Sequence, residues 1–175
     1  MLSFLTDDKK IIDEGMSAAL VSSCGEQDKI VEAMRYSALG GKRLRGVLVL
    51  EFAKMLGCKS EDALPYALGI ECVQAYSLVH DDLPCMDNDD MRRGKPSCHI
   101  AFGESTAVLA GDALLTHAFS VITESEAAAA HPERAVKAVA KLANCAGYRG
   151  MVGGQVLDLD AAEKEVSAAE LAAIH

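Results

Sequence analysis

The chain has 175 residues, half of them hydrophobic, with no tryptophan and only four phenylalanines and four tyrosines. This composition excludes a disordered polymer, and the length is that of one ordinary domain. A formal charge of −9 excludes a nucleic-acid face, which needs clustered lysine and arginine, and allows an anionic ligand only where a bound cation reverses the local field.

Read in chain order, the pattern is helical almost throughout. Ile11, Ile12, Met16, Ala19 and Leu20 draw one apolar stripe and predict a helix over 7–22. A short helix follows over 27–38. The glycine break in GGKRLRG (40–46) leads into a helix over 43–56, which Gly57 stops. Ser60 is placed to cap the next helix, with Glu61 and Asp62 in its first turn and Pro65 early enough to be tolerated. That helix runs to about Asp82, because Leu83 precedes Pro84 and is pushed out of helical geometry. Residues 84–99 read as loop, 104–122 as a long apolar helix, and Pro132 starts another through the 140s. The glycine pair in GMVGGQVLDL (150–159) predicts a break or kink. Ser167 and Glu170 form a capping box, a strong helix start, yet the chain ends at His175. A helix begun well and given barely two turns predicts that 1–175 is the N-terminal portion of one larger all-α domain. No strand alternation, repeat or linker interrupts it.

The six cysteines form no CxxC pair, so a structural zinc site is not expected. The N-terminus MLSFLTDDKK lacks the apolar core of a secretory signal, which predicts a cytoplasmic protein with reduced thiols. The longest aliphatic run is about four residues, so no membrane span is expected. Helices missing from such a portion leave an apolar face exposed, which predicts association.

Chemistry concentrates in HDDLPCMDNDDMRRGKP (80–96). Five aspartates fall within ten residues, followed by Arg92, Arg93 and Lys95. Asp81 and Asp82 sit at a helix C-terminus, where the dipole disfavours them. A solvated acidic loop with pairs such as Asp89 to Arg93 is one reading. A divalent-cation site is the other, since hard cations take carboxylate oxygens. A calcium EF-hand fails on spacing, because the loop's glycine position, counted from Asp87, is Arg92. The arginines favour a metal-bound diphosphate, because guanidinium pairs with phosphate oxygens in two-pronged geometry. Upstream, Lys42, Arg43 and Arg45 follow two glycines that let backbone approach an anion, although GxxxxGK[ST] is absent. Gln74 lies seven residues before Asp81, two turns along the same helix face.

Together, HDDLPCMDNDDMRRGKPSCH (80–99), GGKRLR (40–45), FGESTAVLAGDALLTHAF (102–119) and GGQVLDLD (153–160) resemble the trans-prenyltransferases, or polyprenyl synthetases. The resemblance covers essentially the whole chain and is nearest to the bacterial farnesyl diphosphate synthase branch. It implies an all-α isoprenoid-synthase bundle, a homodimer, and magnesium-dependent condensation of isopentenyl diphosphate with an allylic diphosphate. By resemblance, Asp81, Asp82 and Asp87 hold Mg2+, and Arg92 holds the allylic diphosphate, with Asp81, Asp82 and Arg92 the catalytic set. Lys42, Arg45, Gln74 and Arg93 match the isopentenyl diphosphate site, and Gln155 and Asp158 the allylic pocket. Tyr76, five residues before Asp81, matches the position that limits chain length. With four residues between Asp82 and Asp87, it favours a fifteen-carbon product over a twenty-carbon one. The released diphosphate can accept the final proton, so His80, His99 and His117 are expected to be structural. Gly46 departs from the family's proline. The family's lysine–threonine pair and second aspartate-rich motif are not among these residues, so the 175-residue chain alone is expected to turn over little or nothing. The rival expectation is a non-catalytic diphosphate-binding or regulatory half-protein.

Overall fold

A computed structural model describes residues 3–22, 28–162, 164 and 166–174. Ten helices are present among them: α1 (Ser3–Ala19), α2 (Asp28–Ala38), α3 (Leu44–Met55), α4 (Ser60–Asp81), α5 (Cys98–Phe102), α6 (Glu104–Thr123), α7 (Glu126–Ala130), α8 (Pro132–Ala146), α9 (Met151–Ala161) and α10 (Ala168–Ile174). A two-stranded hairpin, β1 (Met91–Arg92) and β2 (Lys95–Pro96), lies between α4 and α5. The chain falls into two compact units, Met1–His131 and Pro132–His175. The all-α expectation holds.

The first unit is built on α4 and α6. Ala107, Ala110, Gly111, Leu114, Ala118 and Ile122 recur at helical spacing and are buried. Small side chains let the two helices run close and antiparallel. A Cβ on Gly69 of α4 would stand 2.5 Å from Ile122 Cδ1, and one on Gly111 of α6 would stand 2.1 Å from His80 Nε2. A side chain at either end of the crossing would force Ile122 or His80 to shift. Ile12 and Met16 of α1 and Val47 and Leu50 of α3 complete the core, each at most 2% exposed. Arg35 of α2 donates to the carbonyls of Ser17 and Leu20 at 2.9 and 2.7 Å, satisfying acceptors at the end of α1. On the outer side of α3, Leu44, Leu48, Phe52 and Met55 form an exposed apolar stripe.

α6 is long and apolar enough by length and composition to cross a membrane, alone in this among the described residues. Counting consecutive aliphatic residues passes over it. Its small-residue stripe is packed against α4, as in the core helix of a globular unit.

Several local readings change. Lys59 is the N-cap of α4 and Ser60 its first helical residue. The five-residue α7 was not foreseen, although Ser125 caps it by accepting the Ala128 N–H at 3.1 Å. In the second unit, Gly153 and Gly154 do not break α9. A Cβ on Gly154 would lie 2.7 Å from the Ile174 carbonyl oxygen, so glycine here permits close approach of α10. The capping box is present: Glu170 Oε2 accepts the Ser167 N–H at 2.8 Å, and Ser167 Oγ accepts the Glu170 N–H at 3.3 Å.

Candidate anion-binding site

Two loops of the first unit carry the charged residues. The first enters α3. Arg43 is its N-cap and adopts φ 58°, ψ 25°, the left-handed region that β-carbon sterics disfavour. That conformation directs the Arg43 side chain inward, where the residue is 2% exposed. Its Nε donates to Asp13 Oδ1 of α1 at 2.7 Å, and its Nη1 lies 3.5 Å from Glu71 Oε2 of α4. Glu71, itself 6% exposed, accepts the Gly46 N–H at 2.8 Å through Oε1. A Cβ on Gly46 would meet Ile12 Cδ1 at 2.9 Å and Glu71 Cγ at 3.2 Å, so these side chains would have to shift. The departure of Gly46 from the family's proline has a further consequence: proline has no N–H for Glu71 to accept.

The second loop is the hairpin, where sequence reading expected irregular loop. Arg92 pairs with Lys95 and Met91 with Pro96. Arg93 and Gly94 turn the chain with φ 55° and 76°, the positive pair that suits a two-residue hairpin. Lys95 ties the hairpin to α2. Its ammonium lies 3.7 Å above the Tyr36 ring and donates to the Tyr36 carbonyl, while Tyr36 Oη donates to Pro96 O at 2.7 Å. Burial, and then the Arg93 charge, hold the Lys95 ammonium below its usual pKa.

These loops meet at a cleft of about 460 Å3. Lys42, Arg45, Gln74 and Arg93, the four residues assigned by resemblance to one diphosphate, line it together. Arg43 and Glu71 also line it from buried positions. Gly41 keeps the arginines apart from backbone bulk: a Cβ there would lie 3.3 Å from Arg93 Nη2 and 3.4 Å from Arg43 Nη1. Burial and the nearby Arg43 and Arg92 charges depress the Arg93 pKa, while Glu71 opposes them. Cations crowded this closely favour an anion between them.

The aspartates are held differently. The Asp87 N–H donates to the Asp81 carbonyl at 2.9 Å, closing the turn after α4. Met86 and Asn88 both donate to Leu83 O, at 2.9 and 3.1 Å. Asp81 is half-buried and Asp87 exposed. Asp82 is 2% exposed, and its two oxygens accept from Arg92 Nε at 3.0 and 3.1 Å, with Nη2 adding a further bond. The hydrogen bond to Asp82 raises the Arg92 pKa, and burial only partly offsets it. Asp89 reaches Arg92, not Arg93, at 3.6 Å.

Asp82, grouped by resemblance with Asp81 and Asp87 as a metal ligand, has its carboxylate engaged by Arg92 in this structure. Among the described residues no group of three histidine, cysteine or acidic side chains is arranged to hold a metal. Magnesium does not require such a cage, since one or two carboxylates suffice when a bound diphosphate supplies further oxygens. The bond from the Asp87 N–H to the Asp81 carbonyl brings the backbones of these two residues together at one turn.

Tyr76 is 6% exposed and meets the His80 ring edge-on at 5.8 Å. Burial raises its phenol pKa. Two of the histidines expected to be structural have protein partners: His80 Nε2 lies 3.0 Å from Val108 O, and His99 Nδ1 lies 3.1 Å from Ser97 Oγ, whereas His117 Nε2 is buried with no hydrogen-bond partner among the described residues. Gln155 and Asp158 lie on α9 in the second unit. Sequence reading missed the Asp13–Arg43–Glu71 network. Its partners are 28 and 30 residues from Arg43, beyond any local pattern.

The fold is that of the all-α isoprenoid synthases. A protein described as an FPP/GFPP synthase of Zymomonas mobilis superposes with a TM-score of 0.93 at 39% identity, over 98% of this chain and 63% of that one. A geranyltransferase of Legionella pneumophila superposes with a TM-score of 0.84 at 34% identity. The chain belongs to the polyprenyl synthetase family, whose model matches residues 27–175. The farnesyl diphosphate synthase of Bacillus subtilis is 44% identical over 176 residues, all of this chain and 59% of that protein. That of Escherichia coli is 48% identical over 147 residues, 83% of this chain and 49% of that protein. The chain thus spans about half the length of the curated relatives it matches.

Proposed function

We propose that the chain carries substrate-binding machinery for prenyl transfer, the condensation of isopentenyl diphosphate with dimethylallyl or geranyl diphosphate to give farnesyl diphosphate. The observation that carries this is the cleft in which Lys42, Arg45, Gln74 and Arg93 converge. In the proposal this cleft takes isopentenyl diphosphate. Lys42 and Arg45 neutralise its charge, Gln74 donates a hydrogen bond, and Arg93 approaches from the hairpin.

The allylic diphosphate is assigned to the aspartate turn. Asp81 and Asp87 would hold Mg2+, with Arg92 beside them and Asp82 holding Arg92 in place. When bound, Mg2+ neutralises the charge that grows on the leaving diphosphate. Arg92 stabilises the same charge by hydrogen bonding. Gln155 and Asp158 are proposed to line the allylic pocket. Tyr76 is proposed to set the fifteen-carbon limit, so Tyr76→Ala is expected to lengthen the product. Homodimerisation, which rests on the sequence resemblance, and a cytoplasmic location, which rests on the N-terminal composition, belong to the same proposal.

Titration with isopentenyl diphosphate tests the cleft. Lys42→Ala and Arg45→Ala, both exposed positions, are expected to weaken binding about tenfold without changing the circular dichroism spectrum. Unchanged affinity in both variants contradicts the assignment. Transfer itself is tested by formation of a fifteen-carbon product from geranyl and isopentenyl diphosphates with Mg2+. Binding of both without turnover is the outcome expected of these 175 residues alone under either the synthase reading or the half-protein reading.

A further inference from the structure

We infer that Arg43 is a positioning residue of the cleft, holding Lys42 and Arg45 toward the ligand through its ion pairs with Asp13 and Glu71. The inference rests on the reading of the cleft as a diphosphate site.

Arg43 stands between the two cations assigned to substrate, yet only 1% of its side chain is exposed. A left-handed non-glycine residue is disfavoured and persists where surrounding contacts over-determine it. Here those contacts are Asp13 at 2.7 Å and Glu71 at 3.5 Å. Glu71 also grips the Gly46 N–H at 2.8 Å, so one carboxylate fixes both the guanidinium and the first turn of α3. Val47 N–H then donates to Arg43 O at 2.9 Å, starting the helix. Lys42 and Arg45 flank this pinned residue and are both exposed. With Arg43 turned inward, its neighbours keep the surface. The third nitrogen, Nη2, is buried without a protein partner. The Arg43 guanidinium therefore keeps one donor that neither Asp13 nor Glu71 engages. Lysine could not replace it, since one ammonium lacks the fork that engages two separate acids.

A mutation outside the cleft separates positioning from simple electrostatics. Asp13 is about one-third exposed and does not line the cleft. If charge alone governed binding, Asp13→Asn would tighten it, because a carboxylate is lost near bound anion. Positioning gives the opposite sign, because Arg43 loses its shorter anchor. The experiment is calorimetric titration of the full chain with inorganic diphosphate, comparing wild type with Asp13→Asn, Arg43→Gln and Arg43→Lys. Asp13→Asn is expected to bind roughly tenfold more weakly, with Arg43→Lys no better than Arg43→Gln. Circular dichroism at the titration temperature reports whether each variant is folded. If the Arg43 variants do not fold, Asp13→Asn decides. Unchanged or tighter binding by folded Asp13→Asn overturns the inference and leaves the cleft assignment standing. Absence of diphosphate binding by the wild type overturns both.

Discussion

The cleft and the aspartate turn carry opposite charges and are held by different means. The cleft's cations rest on a largely buried network, with half-buried Asp13 and buried Arg43 and Glu71 linking α1, the α3 entry and α4. The turn rests on backbone hydrogen bonds and one tight side-chain pair, Arg92 with Asp82. Asp87, Asp89 and Asp90 remain exposed. A group of cations near a protein surface can be fixed by buried acids that cancel part of its charge. A group of carboxylates waiting for a metal gains by staying hydrated until the metal arrives. In the proposed function, the first site is preorganised by protein, and the second would be completed by magnesium and diphosphate.

That contrast can be broken most forcefully at Glu71. Glu71→Ala leaves Arg43 with one partner and the Gly46 N–H with none. Removing one member of a buried pair costs about 3–5 kcal/mol. Denaturant unfolding should register a loss of that order, and a loss under about 1 kcal/mol would mean the network is not a structural anchor. On the turn, Arg92→Ala strands the Asp82 carboxylate, whose side chain is 3% exposed. Arg92 is itself one-third exposed, so the expected loss is smaller, about 2 kcal/mol.

Acid sharpens the comparison further. Burial works against ionisation of Asp13, but hydrogen bonds from Lys9 and Arg43 outweigh it and hold its pKa below the usual carboxylate value. A depressed folded pKa gives stability that is present above the unfolded value, about 3.9, and is lost as pH falls through the folded value. Asp13→Asn should therefore be less stable than wild type near neutrality, with the gap closing below about pH 4. A gap independent of pH contradicts the ion pair. The smallest effect is expected at Asp87. Asp87→Asn is exposed and should shift stability by no more than about 0.5 kcal/mol while weakening magnesium-dependent binding of allylic diphosphate. Equal magnesium dependence in the variant contradicts a metal role for Asp87.

Much of this architecture was legible in the residues. Long periodic segments such as 104–122 and 60–82 emerged as helices because apolar spacing and capping agree there. The hairpin did not, because two-residue strands are too short to alternate and Arg93-Gly94 is not a strong turn pair. The Gly153–Gly154 pair was misread as a break because sequence cannot tell a flexible glycine from one needed for close packing. Lys42, Arg45, Gln74 and Arg93 were nameable by resemblance, and the structure brings them to one cleft. Arg43 was not separable from its neighbours, since the acids that bury it are distant in sequence. The pairing of Asp82 with Arg92 was not legible, because two adjacent aspartates carry the same chemistry and differ only in direction.

In the proposed function, the cleft holds diphosphate without metal. The direct measurement is calorimetric titration of the full chain with isopentenyl diphosphate, once with EDTA and once with Mg2+. Saturable binding in EDTA, little changed by magnesium and lost in Arg45→Ala, is the expected result. Binding that appears only with magnesium, or that survives Arg45→Ala unchanged, would contradict it.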